Sequence, residues 1–558
     1  MSEQVYDLAG IGFGPANLAL CIALHESEEA KLKNFSMIFL EMQPQFAWHP
    51  ALLLPGAQLQ VSPIKDLATM RDPTSAYSFL NFLHSQGRLA QYINREQTVP
   101  SRREWSAYLA WAAQRMDCYV RYSRKVVEIK PKEQHGKVAY LEVLAKNHVT
   151  GETETIRTRN ITTAVGGLPN VPSHFRGMYE WPLSSPDAIP RVIHASAFLP
   201  QMERLDECLQ RQQHANSGEP LRLAIVGGGQ SSAEMLCYLR DKFPRANLDM
   251  IVRASALVPS DDSPFVNSAA FDPASVTTFW ESNAKARRAQ LEEFRRTNYS
   301  VIRSDLLSQV YEMVYDQEID YSDSYSPEKG MVRIMASTEI SQAEKLEDGR
   351  IWIGTYTTAG EKLVRSDIYD AVFLGTGFER AASTLPFVNN LADQFPLLSA
   401  EKAQELRQRE LDEDTDIEKL SNPDAARAKL RGITRDYRLV PSDPERWRHD
   451  ASSVCALHPS VMQRIPQSRM GREGSRENSL ASSRRDDSGY NSSSTPDSPS
   501  NSTSTNEQSL ARGPTNLYLF GCNEYTHGLS DSLMSMVAHR AGVVSTSLLS
   551  ATNGISKH

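Results

Sequence analysis

Two glycine-rich turns are the parts of this chain best suited to hold a reactive cofactor. Each turn follows a strand-like apolar run and precedes a helix-like run. Glycine allows a tight turn and lets the backbone N–H groups of a helix N-terminus approach a pyrophosphate. Each turn therefore predicts a dinucleotide site. The turn residues are Gly10, Gly12, Gly14 and Pro15 in the first turn, and Gly227, Gly228, Gly229, Gln230 and Ser231 in the second.

The residue that ends the next strand differs between the two units. Glu41 ends the strand-like run of the first unit, whereas Arg253 ends that of the second. An acid in this place accepts hydrogen bonds from ribose hydroxyls, whereas an arginine suits a ribose 2′-phosphate. The second site is therefore predicted to bind NADPH. Two such dinucleotide sites in one chain indicate a flavin enzyme that NADPH reduces.

These turns need a scaffold of parallel strands and covering helices, so we predict an α/β fold. It should contain two Rossmann-like dinucleotide-binding domains, for FAD and NADPH, and a small helical substrate-binding part. We expect the FAD-binding domain over residues 1–217 and 365–558. The NADPH-binding domain is expected over 218–364, with the helical insert at about 267–307. The apolar run Asp370–Gly377 is expected to return the chain to the first domain.

A stretch at about 467–514 differs in kind from the rest of the chain. It is dominated by Ser, Asn, Thr, Arg, Asp and Pro and has almost no apolar residues. Such a segment buries too little surface to offset its ordering entropy. We predict a disordered surface loop within the second part of the FAD-binding domain.

The composition of the 558 residues argues against several classes of function. The net charge of −8 disfavours general binding to nucleic acids or anionic membranes. No apolar run reaches the roughly 18 residues of a membrane span. The six cysteines form no C-x-x-C pair, so neither a metal site nor a disulfide reductase is predicted. The N-terminus lacks a basic leader, which predicts a cytoplasmic protein. The ending Ser556–His558 resembles a peroxisomal signal only weakly.

Seven segments of the chain resemble one family, the microbial N-hydroxylating flavoprotein monooxygenases. These are the L-ornithine N(5)- and L-lysine N(6)-monooxygenases of siderophore biosynthesis. The matches span nearly the whole chain outside 467–514. They are Asp7–Leu18, Trp48–His49, Gln60–Pro73, Gly227–Ser232, Pro259–Asn267, Thr297–Ser300 and Gly521–Ser535.

The resemblance implies a role for each matching position. For FAD it implies Gly10, Gly12, Gly14, Pro15, Glu41, Met42, Gln43, Pro44, Gln45, Phe46, Ala47, Trp48, His49, Gln60, Val126, Ser532, Leu533 and Met534. For NADPH it implies Gly228, Gly229, Gln230, Ser231, Arg253, Asn298, Tyr299 and Ser300. For the amino-acid substrate it implies Lys65, Asn267, Ser268, Ala269, Ala270, Asn298 and Ser535.

The resemblance also implies the reaction. NADPH would reduce FAD, O₂ would add to the flavin as a C4a-hydroperoxide, and the neutral side-chain amine would take the terminal oxygen. The flavin carries this chemistry, so no side chain is assigned as catalytic. L-ornithine is the favoured substrate, because the long form and the Asn298–Ser300 stretch resemble the fungal ornithine enzymes. The product would enter hydroxamate siderophore biosynthesis, and a homotetramer is expected.

Two alternatives stay open at this point. One is an L-lysine N(6)-hydroxylase, because a single methylene is worth only about 1–3 kcal/mol of discrimination. The other is a non-catalytic FAD-binding redox sensor or scaffold that exposes the Ser-rich loop to partners. Lys65, Asn267 and Asn298 argue against the second alternative.

Overall fold

The computed structural model describes residues 4–552, apart from 98, 181, 184, 186–187, 216–218, 324–329, 359, 414–416, 418–419 and 448–513. The strands, in chain order, are β1 (Val5–Ile11), β2 (Met37–Leu40), β3 (Val120–Arg121), β4 (Arg124–Gln134), β5 (Lys137–Asn147), β6 (Thr153–Thr163), β7 (Leu168–Pro169), β8 (Val192–His194), β9 (Arg222–Val226), β10 (Asn247–Ile251), β11 (Val332–Met335), β12 (Thr338–Lys345), β13 (Ile351–Thr357), β14 (Gly360–Tyr369), β15 (Ala371–Leu374), β16 (Phe378–Glu379) and β17 (Asn516–Leu519).

The α-helices are α1 (Pro15–Glu26), α2 (Glu28–Leu32), α3 (Phe79–Ser85), α4 (Leu89–Asn94), α5 (Arg102–Gln114), α6 (Phe198–Ala215), α7 (Gln230–Lys242), α8 (Pro264–Phe271), α9 (Pro273–Glu281), α10 (Ala284–Asn298), α11 (Ser304–Asp323), α12 (Ala400–Glu413), α13 (Pro423–Arg431), α14 (Pro444–Trp447), α15 (Glu524–His527) and α16 (Val537–Thr552). Among the described helices, none is long and apolar enough to cross a membrane.

The first glycine turn belongs to a seven-stranded sheet. Six of its strands have the order β3-β2-β1-β6-β5-β4, and the seventh, β17, pairs with β6. Strands β1, β2 and β3 run parallel, and β6 pairs with β1 on one side and with both β5 and β17 on the other. β2 is buried along its whole length, as its continuous apolar sequence predicts. β17 pairs with β6, so the chain returns to this sheet after the predicted Ser-rich loop. All of the predicted 467–514 loop except its last residue lies outside the described residues.

The second glycine turn belongs to a five-stranded parallel sheet with the order β11-β10-β9-β15-β8. The expectation that Asp370–Gly377 returns the chain to the first domain is wrong. Val372 of β15 lies between Ala224 of β9 and Val192 of β8. All four residues of β15 are buried, and this burial requires a central strand with neighbours on both sides. The second sheet therefore draws strands from outside the predicted limits of 218–364.

The helical insert comprises α8, α9 and α10 and starts slightly earlier than predicted, at Pro264, whereas α11 runs on to Asp323, past the predicted end at about 307. Trp280 of α9 is fully buried and lies 5.2 Å, centroid to centroid, from His527 of α15. Arg287 of α10 is also fully buried, and its guanidinium donates to Glu410 of α12 at 2.6 Å and to the Tyr525 carbonyl at 3.1 Å. These contacts fix α10, and hence Asn298 at its end, against the C-terminal segment.

Candidate active site

The first glycine turn is shaped by contacts that only glycine permits. Gly12 has a φ of +78°, and a Cβ there would lie 2.7 Å from the Ala164 carbonyl oxygen. A Cβ on Gly10 would collide with the ring of Phe39 in β2. Pro15 occupies the start of α1, where its missing N–H costs nothing. The turn therefore places the N-terminus of α1 close to the ends of β1 and β2.

The helices that follow the two glycine turns both begin without a side-chain cap. Gly14 is the N-cap of α1 and Gly229 is the N-cap of α7, and neither has a side chain that could accept from a first-turn N–H group. By contrast, Ser101 caps α5 and Asn283 caps α10. Uncapped first-turn N–H groups carry partial positive charge and suit a phosphate. Both turns therefore fit the pyrophosphate of a dinucleotide.

Glu41 stands at the first turn, as the sequence predicts. Its carboxylate accepts from the backbone N–H of Phe13 at 2.6 Å and of Gln43 at 2.8 Å. The Glu41 carbonyl accepts from the Arg124 N–H at 2.8 Å, which brings Val126 of β4 to the same edge of the sheet. Phe46 lies edge-on to Phe13, with ring centroids 6.4 Å apart. The structure thus brings together the first turn, Glu41, Val126 and the predicted 42–49 segment.

His49 lies beside Phe378 of β16. Its backbone is left-handed, with a φ of +44°, and its ring centroid is 6.2 Å from that of Phe378. The ring is solvent-exposed, yet protein atoms surround it at longer range. Desolvation, and to a lesser extent the charges of Arg102 and Arg380, together lower the pKa of His49 from 6.5 to about 4. His49 is therefore neutral at physiological pH.

The second turn is close to the predicted Asn298–Ser300 segment. A Cβ on Gly229 would lie 3.5 Å from the Cα of Ser300, and Ser300 has a φ of +57°. A Cβ on Gly228 would lie 2.8 Å from Val252, which directly precedes the exposed Arg253. The structure thus brings four predicted NADPH residues to one end of the second sheet.

Gln230, which the resemblance assigns to NADPH, uses its side chain in contacts within the protein. Its amide oxygen accepts from the Arg303 N–H, and its amide nitrogen donates to Glu234, both at 2.9 Å. Gln230 would therefore contact NADPH through its backbone.

Two of the predicted substrate segments, Lys65 and α8, meet at the C-terminal end of α8. Lys65 Nζ donates to the Phe271 carbonyl at 3.3 Å and lies 5.8 Å from the centre of that ring. Burial lowers the pKa of Lys65 from its usual value, and Asp272 opposes this effect. The Asn267 side chain is half-buried and donates to the Asp262 carbonyl at 2.7 Å, so its amide oxygen is the better placed group for a ligand.

The C-terminal segment packs against the helical insert. Leu533 and Tyr299 pack against an apolar cluster that includes Val266, Ala270 and Phe294. The insert and the predicted flavin segment are therefore in direct contact.

Within the C-terminal segment, Ser535 is buried, and its hydroxyl has no hydrogen-bond partner among the described residues. A buried hydroxyl without a partner is costly, and a ligand would satisfy it. Ser535 therefore fits the predicted substrate site.

Sequence reasoning missed the carboxylate that links these segments. Glu524 of α15 accepts from the Tyr299 hydroxyl at 2.5 Å and from the Ser532 hydroxyl. It lies within the Gly521–Ser535 match, but residue type and spacing alone do not distinguish it from a surface glutamate at a helix N-terminus.

Comparisons with known proteins agree with this geometry. A family model described as L-lysine 6-monooxygenase/L-ornithine 5-monooxygenase matches residues 4–380. An L-ornithine N(5)-monooxygenase of Mycosarcoma maydis is 41% identical, over 98% of this chain and 85% of that protein.

Two solved structures share the fold over nearly all of both chains. The ornithine hydroxylase PvdA from Pseudomonas aeruginosa has a TM-score of 0.70 and 29% identity, covering 99% of this chain and 100% of that chain. The Kutzneria ornithine N-hydroxylase KtzI, solved with reduced FAD, NADP⁺ and L-ornithine, has a TM-score of 0.69 and 26% identity with the same coverage.

Proposed function

The chain belongs to the L-lysine 6-monooxygenase/L-ornithine 5-monooxygenase family, and from this premise we propose that it hydroxylates L-ornithine to N(5)-hydroxy-L-ornithine. Family membership confirms the predicted flavin monooxygenase class and the cofactors FAD and NADPH. The two parallel sheets likewise confirm the predicted α/β fold with two Rossmann-like units.

The protein's own residues bind and orient the two cofactors. Glu41, already held by two backbone N–H groups, would accept from the adenosine ribose of FAD, and the α1 N-terminus would receive its pyrophosphate. Arg253 would pair with the 2′-phosphate of NADPH at the second turn. When bound, the NADPH-reduced flavin supplies activated oxygen to the substrate amine.

The observation that supports the substrate assignment is the contact between Lys65 and α8. The first half of α8 belongs to the Pro259–Asn267 segment that resembles the family. A lysine ammonium on this wall would pair with the carboxylate of a basic amino acid. Asn267, Asn298 and the unsatisfied Ser535 hydroxyl would fix its remaining polar groups. Holding the amino-acid end in this way directs the side-chain amine toward the flavin, so the protein contributes orientation and exclusion of water.

Ornithine is preferred over lysine because the relatives that are 41% and 37% identical are both named L-ornithine N(5)-monooxygenase. The product is a hydroxylamine amino acid, which is the first intermediate of hydroxamate siderophore biosynthesis. The predicted homotetramer and cytoplasmic location stay predictions. Light scattering of the purified protein would test the first, and imaging of a tagged protein the second.

The test of the substrate is hydroxylamine formation by the purified holoenzyme with NADPH and O₂, with L-ornithine and L-lysine supplied in parallel. Product from ornithine, with little or none from lysine, is the expected result. Product from lysine alone would keep the reaction class and overturn the choice of substrate. NADPH oxidation that yields only peroxide with both amines would overturn the proposed function.

A further inference from the structure

Gln230 and Glu234 form the start of a hydrogen-bonded circuit on α7. Gln230 uses both ends of its amide, with the oxygen accepting from the Arg303 N–H and the nitrogen donating to Glu234 Oε1, each at 2.9 Å. These contacts join the first turn of α7 to the chain just after Ser300. The helix that follows the second glycine turn is therefore tied to the segment that packs against that turn.

Glu234 extends the circuit into the first unit. Its Oε2 accepts from Arg102 Nη1 at 2.8 Å, and the two side chains are only 5% and 15% exposed. α5, which begins at Arg102, contributes Trp105 and Tyr108 to the core of the first sheet, whereas α7 contributes to the core of the second. The ion pair therefore crosses between the two dinucleotide-binding units.

Arg303 and Leu59 complete the circuit. Arg303 Nη1 donates to the Leu59 carbonyl at 2.8 Å, and the Leu59 N–H donates to the Pro100 carbonyl at 3.0 Å. Pro100 is two residues before Arg102, so the contacts run in a closed ring. We call this the interdomain ring, formed by Leu59, Pro100, Arg102, Gln230, Glu234 and Arg303.

Three members of the interdomain ring, Leu59, Gln230 and Arg303, are next to segments assigned to a ligand. Leu59 precedes Gln60, which is assigned to the flavin, and Gln230 follows Gly229 of the NADPH turn. Arg303 follows Ser300, whose backbone lies against Gly229. We propose that Glu234 and Gln230 are positioning residues that set the NADPH turn relative to the flavin-side segment through this ring. The proposal rests on the cofactor sites described above.

The proposed positioning role follows from burial, because the polar contacts of the interdomain ring include side chains that are largely shielded from solvent. Replacement of the Glu234 carboxylate by an amide would leave either the Arg102 guanidinium or the Gln230 N–H without its acceptor, which is costly at low exposure. The surrounding contacts can relax by a small movement of one unit against the other. A misplacement of about 1 Å between reacting groups can lower a rate by roughly 100-fold, so hydride delivery is more sensitive than folding.

The same helix supplies a matched control. Lys242 of α7 pairs with Asp206 of α6 at 2.7 Å, an ion pair on the same helix that stays within the second unit and is more exposed. Asp206→Asn removes this pair without touching the ring. Glu234→Gln keeps the size of the side chain but removes its charge and one acceptor. Gln230→Met serves as a second ring variant if Glu234→Gln proves poorly folded.

The experiment measures the rate of anaerobic flavin reduction by saturating NADPH in the holoenzyme. We expect Glu234→Gln to be slower by about 10-fold or more, with FAD content unchanged and Asp206→Asn within about 2-fold of wild type. Flavin reduction in the double variant Arg102→Gln/Glu234→Gln should be no slower than in the slower of the two single variants, because both substitutions break the same contact. Amide hydrogen exchange of the peptide that contains Leu59 and Gln60 should also accelerate in Glu234→Gln and not in Asp206→Asn.

Three results would overturn the proposal. These are wild-type reduction rates in both ring variants, an equal loss in Asp206→Asn, or rate losses that multiply in the double variant. Hydroxylamine formation from L-ornithine by the wild type is measured alongside and tests the proposed function separately. The reduction step needs no amine, so failure of the ring and failure of the substrate assignment give different results.

Discussion

The two glycine-turn units are built alike, yet they hold their discriminating residues differently. In the first unit, the Glu41 carboxylate is fixed by the N–H groups of Phe13 and Gln43. In the second, Arg253 is exposed just beyond the end of β10. The comparison teaches that the same βαβ plan can end its second strand in a residue fixed by backbone N–H groups or in an exposed residue.

The largest effect is expected from a substitution in the first glycine turn. Gly12→Val requires a β-branched side chain at a φ of +78° and within 2.7 Å of a backbone oxygen. We expect the purified protein to lose nearly all of its FAD and its activity, measured by flavin absorbance. Gly87→Val is the control, because Gly87 also has a positive φ but meets nothing within 4 Å. Equal FAD loss in both variants would show that backbone strain, and not the turn, is responsible.

Lys65 lies outside both glycine turns, so its substitution separates substrate binding from cofactor binding. Lys65→Ala removes a charge-assisted contact worth up to about 3 kcal/mol, so the KM for L-ornithine should rise by up to roughly 100-fold. Flavin reduction by NADPH should remain near the wild-type rate in stopped-flow measurements. Lys65→Arg should recover part of the loss. A simultaneous loss of FAD from Lys65→Ala would point to a structural role.

Arg253 tests the second unit. Arg253→Ala should raise the KM for NADPH by about 10-fold and leave the KM for NADH nearly unchanged, because only NADPH has the 2′-phosphate. Arg245→Ala is the matched control, since Arg245 is exposed before the opposite end of β10. Equal changes for both nucleotides would contradict the phosphate contact.

The smallest effect concerns the stability of the second unit. His194 is fully buried between Ser196 and the Gly377 carbonyl, and desolvation lowers its pKa from 6.5 to about 4. The unfolded chain therefore binds the proton more readily between these values. Stability from the neutral ring is complete above pH 6.5 and is lost as the pH falls toward 4.

His194→Gln keeps a donor for Gly377 and cannot titrate. Its unfolding free energy should depend less steeply on pH, by at most about 1.4 kcal/mol per pH unit, in denaturant titrations between pH 4.5 and 6.5. An unchanged slope would show that other groups control acid unfolding in this unit.

Local patterns were enough to predict both glycine turns, the contrast between Glu41 and Arg253, and the helical insert. These features depend on neighbours within one βαβ unit, where residue type and spacing determine the geometry. The sheet that receives β15 was predicted incorrectly, because an apolar run followed by glycines fits either parallel sheet. Glu524 and the interdomain ring were missed, because their partners are distant in sequence and only the tertiary fold brings them together.

The most direct test of the account is the stoichiometry of the complete reaction. NADPH oxidised, O₂ consumed and hydroxylamine formed are measured together in the wild-type holoenzyme at saturating L-ornithine. The account predicts a ratio of roughly one to one to one, because one reduced flavin delivers one oxygen atom to one oriented amine. Consumption of NADPH and O₂ with peroxide in place of hydroxylamine would contradict it.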